Sequence, residues 1–456
     1  MNTFCAKILI RLTTIVGIVL TIPLFAFPQG SMNVPLLGTF NPYAATGYND
    51  CWGYTAVNGR EYALLGVRNG TSIIDITDAP ILNEVAFIPS VVSLWKDIKT
   101  YQTYAYVVTD GTGEGIQIID LSMLPDTAVL VTTFAGTDLT SHNLSIDTTN
   151  GILYAQGGAG LVRVVDLSDP ENPEEIPASF DGLTHCHDIL IQGNKLFISE
   201  GSSGTIAIFD VSNPASPVLL SRFGPPDSGY VHNAWPSPDG TLLMTTEETP
   251  GKTVKLWDIS TADTVWMADD YLAPEGLAHN VHVKGSHAYI SHYKDGLRIV
   301  NISNPNSIFE EGHYDTYDST LAGNFHGAWG AFPFFNSGKV LISDMESGLF
   351  VVYFAGSVVK SETQKPGLPE EFSLSQNYPN PFNPATVIPY EVAMRSRVRF
   401  AVYNVLGKEI AVLLDEVKDP GAYTLSFDAG SLPSGVYFYR MSAGNTVQTR
   451  RMLFVR

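Results

Sequence analysis

Ten histidines occur in this 456-residue chain. Five of them, His142, His185, His232, His279 and His326, follow one another at intervals of 43 or 47 residues. Imidazole nitrogens ligate Zn, Cu, Fe or Ni, and neighbouring carboxylates can complete such sites. One copy, "GLTHCHDILI" (182–191), carries a second imidazole, His187. Residues two apart on a strand face the same side, so His185 and His187 are expected to be able to chelate together. His279 and His282, three apart, are expected to face opposite sides. Cys186 points away from both flanking histidines on a strand, which disfavours a Cys/His nucleophilic pair. "SHN" (141–143) lacks the flanking glycines of a nucleophile elbow. "DGTGEG" (110–115) precedes a strand rather than a helix, so it cradles no phosphate. No nucleophilic catalytic constellation emerges, and the residues read first as those of a ligand- or partner-binding protein; the alternative is a metal-binding protein or a metalloenzyme whose ion keeps an open position.

The histidines belong to a longer repeat. "GTSIIDITDAP", "GIQIIDLSMLP", "GLVRVVDLSDP", "GTIAIFDVSNP", "KTVKLWDISTA" and "GLRIVNISNP" are versions of one phrase. The strand in each ends at Asp75, Asp120, Asp166, Asp210, Asp258 and Asn301, spaced 43 to 48 residues apart. A shorter seventh copy is "GLFVVYF". Each of the first six is followed by a strand ending in an aromatic (Phe87, Phe134, Phe180, Phe223, Tyr271, Tyr314), and preceded by two more strands. Aligning the first strand of each unit gives Trp52 and Trp95 before the five histidines. Seven units of four short strands predict an all-β fold, a seven-bladed β-propeller over 31–355. The seventh unit lacks an outer strand, and "VPLLGTF" (Val34 to Phe40) is in phase to supply it and close the ring.

In such a blade the start of the first strand and the end of the second share a face. The second-strand ends carry Asp110, Glu200, Glu247, His292 and Asp344. Together with His187 and the five histidines they form a candidate divalent-metal ring at one mouth of the central channel. The competing expectation is structural. Each histidine would bond within its own blade, as residues that repeat with the packing do, and Trp52 and Trp95 replace histidine in two blades. Both readings stay open on the residues alone.

"SIIDITDAP", "RVVDLSDP" and "AIFDVSNP" resemble LVIVD repeats, and 31–355 as a whole resembles the secreted choice-of-anchor B proteins. The resemblance implies the propeller and no particular reaction. A polar linker (356–369) precedes short alternating strands in 370–456, which read as a small Ig-like β-sandwich. "NYPNPFNPAT", "VYNVLGKEI" and "SGVYFYRMSAG" in this segment are similar to the type A sorting domain of the type IX secretion system. That resemblance implies the secretion machinery as a partner and delivery to the outer cell surface or the medium.

The remaining features fit export. Lys7 and Arg11 precede an apolar run that ends near Pro28, the pattern of a signal peptide (1–28). No later stretch is long and apolar enough to span a bilayer. A formal charge of −20 argues against nucleic acid and anionic membranes as partners. Cys51 and Cys186 fall in distant repeats, so no disulfide is expected. A divalent metal is the one cofactor suggested, and the extracellular ligand or protein partner is left unnamed.

Overall fold

A computed structural model of the chain describes residues 30–135, 140–157, 162–225, 227–261, 264–317, 321–356, 372–374, 377, 380, 382–430, 432–444 and 446–455. The expected signal peptide, and all of the expected linker except Gly356, lie outside the described residues. The chain divides into two compact units, Met1–Ser357 and Val358–Arg456.

The recurring phrase has a local cause. Its apolar, β-branched and aromatic residues form a strand buried on both faces, such as Ile206–Asp210. The strand stops where the acidic side chain takes over the hydrogen bonding of the turn. Asp210 accepts the Ser212 N–H at 2.8 Å and its hydroxyl at 2.6 Å. Asp120, Asp258 and Asn301 do the same for Ser122, Ser260 and Ser303. A short polar side chain that mimics a turn acceptor is the reason Asp or Asn closes each copy.

Among the described residues, unit 1 holds seven antiparallel sheets. Strands within a sheet follow chain order, as in Lys96–Tyr101, Tyr104–Thr109, Ile116–Asp120 and Val129–Phe134. The exception is the sheet that begins at Ala328–Phe332. Its outer strand is Leu36–Phe40, paired with Gly348–Tyr353 through Leu36↔Val352 and Phe40↔Leu349. The expected N-terminal closure is therefore present. One feature was not legible in the sequence: Ser31–Met32 adds a fifth strand to the preceding sheet by pairing with Tyr314 and His313.

Burial explains why the sheets assemble. Each pair of successive sheets shares an apolar cluster, for example Tyr154 and Val164 against Ile189, Ile198 and Phe209. Leu341, Leu349 and Val351 of the last sheet pack on Leu65 and Ile74 of the first. The first strands of neighbouring sheets touch one another all the way round. The fold is thus all-β and propeller-like, with those first strands lining a central channel. Cys51 and Cys186 are free and buried in separate clusters.

Unit 2 pairs a three-stranded sheet (Ser373–Leu374, Ala385–Val392, Gly421–Asp428) with a four-stranded one (Glu409–Lys418, Ser396–Asn404, Gly435–Ala443, Thr446–Phe454). Ile388 and Tyr390 from one and Phe400, Val402, Tyr439 and Met452 from the other share its core.

Candidate metal centre

The first strands are registered by a dipeptide. His142-Asn143, His187-Asp188, His232-Asn233 and His279-Asn280 stand at the start of four consecutive first strands. The second residue of each pair lines the channel, and two of them staple the next sheet. Asn143 Oδ1 accepts the Ile189 N–H at 3.0 Å, and Asn233 Oδ1 accepts the Val281 N–H at 3.0 Å. Asp97 holds the corresponding place one sheet earlier and accepts the Leu144 N–H at 2.8 Å. In the last sheet Gly330 stands here, because an added Cβ would lie 2.1 Å from Asp50 Oδ1. These bonds fix the strand starts, and so the imidazoles just before them.

The four imidazoles form a continuous arc. Ring centroids are 4.6 Å apart for His142 and His187, 4.4 Å for His187 and His232, and 4.2 Å for His232 and His279. Ligand atoms of His142, His187 and His232 lie within 4.8 Å of one another, as do those of His232, Glu248 and His279. His232 belongs to both groups. A space of about 30 Å³ beneath the arc is bounded by His142, His232, His279, Asn143 and Asp188, among others.

Second partners orient several of these groups. His142 Nδ1 is 3.1 Å from Asp110 Oδ2, and His187 Nδ1 is 2.8 Å from the Tyr230 hydroxyl. His279 Nδ1 donates to the Trp329 carbonyl at 2.6 Å, which leaves Nε2 with the lone pair. The Tyr293 hydroxyl donates to Glu248. Among the described residues, His187 Nε2 and His232 Nδ1 are buried without a hydrogen-bond partner. An unpaired buried nitrogen is costly, and a ligated ion removes that cost.

Protonation follows from the surroundings. Burial, then the neighbouring imidazoles, push His187 down to about 2. Burial pushes His279 down to about 3, and burial with the adjacent histidines holds His232 well below the usual imidazole range. His142 differs: burial opposes its charge, but the hydrogen bond and charge of Asp110 outweigh that and raise it. Three of the four rings are therefore neutral near pH 7, the form that ligates metal.

Several expected ring members lie elsewhere. His185 is not in the arc: its ring edge lies near Gly201, and His187 takes its place. His185 joins neither group of converging ligand atoms. His326 pairs with Glu346 at 2.7 Å and stacks on Tyr317; Trp329 fills the mouth position of its sheet. Trp95 flanks His142, but Trp52 sits beyond Asp50 toward the other mouth. Of the second-strand ends, only Asp110 reaches the arc. Glu200 binds Arg222, Thr205 and Thr184, and Glu247 binds Lys255 and the Gly229 N–H. His292 Nδ1 is 3.0 Å from Asp295 in its own turn, although neither ring nitrogen makes a hydrogen bond among the described residues. Asp344 accepts from Thr316, Glu346 and Ser347, and burial raises it to about 6. For these residues the within-blade expectation is the one the geometry matches. Alternation explains the errors, since a strand start misplaced by two or three residues selects a different side chain. The His-Asn/Asp dipeptide was the available signal. Glu248, Tyr230 and Tyr293 come from loops and carried none.

Comparison with protein-family models agrees with this architecture. The LVIVD repeat model matches residues 185–224 and 275–316. The secretion system C-terminal sorting domain model matches residues 376–455. No curated protein matches the chain. The chain thus carries LVIVD repeats and a C-terminal sorting domain, and the latter supports export by the type IX system to the cell surface or the extracellular space. Among the described residues, no helix is long and apolar enough to cross a membrane.

Proposed function

We propose that this is an extracellular, metal-binding, seven-bladed β-propeller whose ion sits among His142, His187, His232, His279 and Glu248. The observation that carries this reading is the arc itself. Four imidazoles converge from successive sheets with a half-buried carboxylate, and two of their nitrogens lack a hydrogen-bond partner among the described residues. An imidazole-rich donor set suits zinc-class divalent cations, not calcium, which takes oxygen ligands. His232, common to both ligand groups, anchors the ion. Tyr230 and Asp110 orient imidazoles from behind, and Tyr293 orients Glu248. The N-terminal 28 residues act as the signal peptide for the first export step. The 31–355 propeller is the cargo, 356–369 the linker, and 370–456 an Ig-like sandwich that the secretion machinery reads.

The test is metal content. Full-length protein loaded with zinc and dialysed should retain close to one equivalent by elemental analysis. His187→Ala and His232→Ala should lose it, while His185→Ala and His326→Ala should keep it. Equal retention in all four variants would refute the assignment.

A further inference from the structure

The opposite mouth of the same channel carries a second site. Trp52 and Trp235 sit two residues beyond the Asn/Asp layer, and Phe332 holds the same level in the last sheet. With Phe334 they form one wall of a cavity of about 380 Å³. Trp235 stacks on Phe334 at 5.5 Å and 22°, while Trp52 meets Phe332 edge-on at 4.9 Å. The facing wall is of a different kind, with Ser145, Thr148 and Thr100 set among Leu190 and Ile191.

We propose that this cavity binds a neutral sugar ring, stacked on the tryptophan faces with its hydroxyls toward the Ser/Thr wall. The size is that of a small-molecule pocket. The C–H face of a pyranose is apolar and faintly positive, which suits the negative faces of aromatic rings. Its hydroxyl edge needs polar partners, and these are present. Ser145 Oγ accepts the Ile191 N–H at 3.1 Å and, among the described residues, donates to none. Just below the cavity, the His282 ring packs 4.5 Å from Trp235. A purely apolar occupant would leave the Ser145 hydroxyl without an acceptor.

Charge points to the same class. Lys99 lies over the Trp52 ring at 4.4 Å, and its ammonium is paired with Asp97. Among the described residues that line the cavity Lys99 is the one charged side chain, and it is paired, so a charged occupant finds no free opposite charge there.

Tryptophan fluorescence of the full-length protein tests the proposal. The probes are methyl glucoside, methyl mannoside, methyl galactoside, N-acetylglucosamine and their neutral trisaccharides, with indole and phenol as aromatic comparators. At least one sugar should give a saturable change and protect tryptophan from N-bromosuccinimide. Trp52→Ala and Trp235→Ala should weaken it about tenfold or more, with Trp52→Phe and Trp235→Phe closer to wild type. His187→Ala, at the other mouth, should bind the sugar normally, so this outcome is separate from that of the metal assignment. Saturation by indole or phenol alone would overturn the proposal in favour of an aromatic side chain of a protein partner. Absence of binding by every probe, or sugar binding indifferent to both alanine variants, would also overturn it.

Discussion

His187 and His185 differ by two positions and in everything that matters chemically. His187 closes the arc between His142 and His232, with Tyr230 behind it. His185 lies outside. Tyr230→Phe should therefore weaken zinc binding about 10- to 100-fold, the usual cost of losing an orienting partner, as read by competition with a chelating dye. His282 provides a separate test at this scale. Burial, then Lys99, push it down to about 3, whereas an unfolded chain holds its proton up to about 6.5. Between those values the unfolded state binds a proton that the folded state refuses, so stability falls as pH drops below about 6.5. For one such group the loss from pH 7.5 to pH 5.5 is about 1.4 kcal/mol. In urea unfolding, His282→Gln should shrink the acid-induced loss by about that amount. An unchanged difference would mean that His282 titrates normally in the fold.

At the scale of the element, Asp97, Asn143 and Asn233 of the channel-facing layer each tie a first strand to the next. Asn143→Ala removes the acceptor of the Ile189 N–H and the donor to Asp188. It should cost about 1–3 kcal/mol in denaturant unfolding. Gly330→Ala should destabilise by forcing Asp50 out of its place. A thermal midpoint equal to wild type in both variants would show that the layer does not brace the ring. Much of the strand plan was legible beforehand, because the terminal Asp or Asn recurs for a reason that acts within a few residues. The arc was legible only in part. The alignment rested on the histidine spacing, and "HCHD" offers two histidines of which the channel uses the second. The following Asn or Asp, the residue that makes the inter-sheet bond, fixes the register. Glu248 and Tyr293 reach the site only through the three-dimensional course of their loops, so no spacing could announce them.

At the scale of the whole molecule, ring closure and export each have a testable handle. The strand Leu36–Phe40 covers the edge of Gly348–Tyr353. Its deletion leaves a long apolar edge open and should produce aggregation, seen by light scattering. The sorting domain at 376–455 connects the chain to the secretion machinery. Cells making a version truncated after residue 357 should keep it inside the outer membrane, as cell fractionation would show. Release of the truncated chain at the full-length rate would contradict that role. The two mouths of one channel then divide the labour: imidazoles at one end, aromatic faces at the other, with the hydrogen-bonded Asn/Asp layer between.

The most direct test of the metal assignment is an anomalous difference map from crystals of zinc-loaded protein, collected on either side of the zinc edge. The account predicts one dominant peak among His142, His187, His232 and His279, about 2.0–2.1 Å from the nitrogens it binds. A map with no peak in the arc, or with peaks only at surface carboxylates, would contradict it.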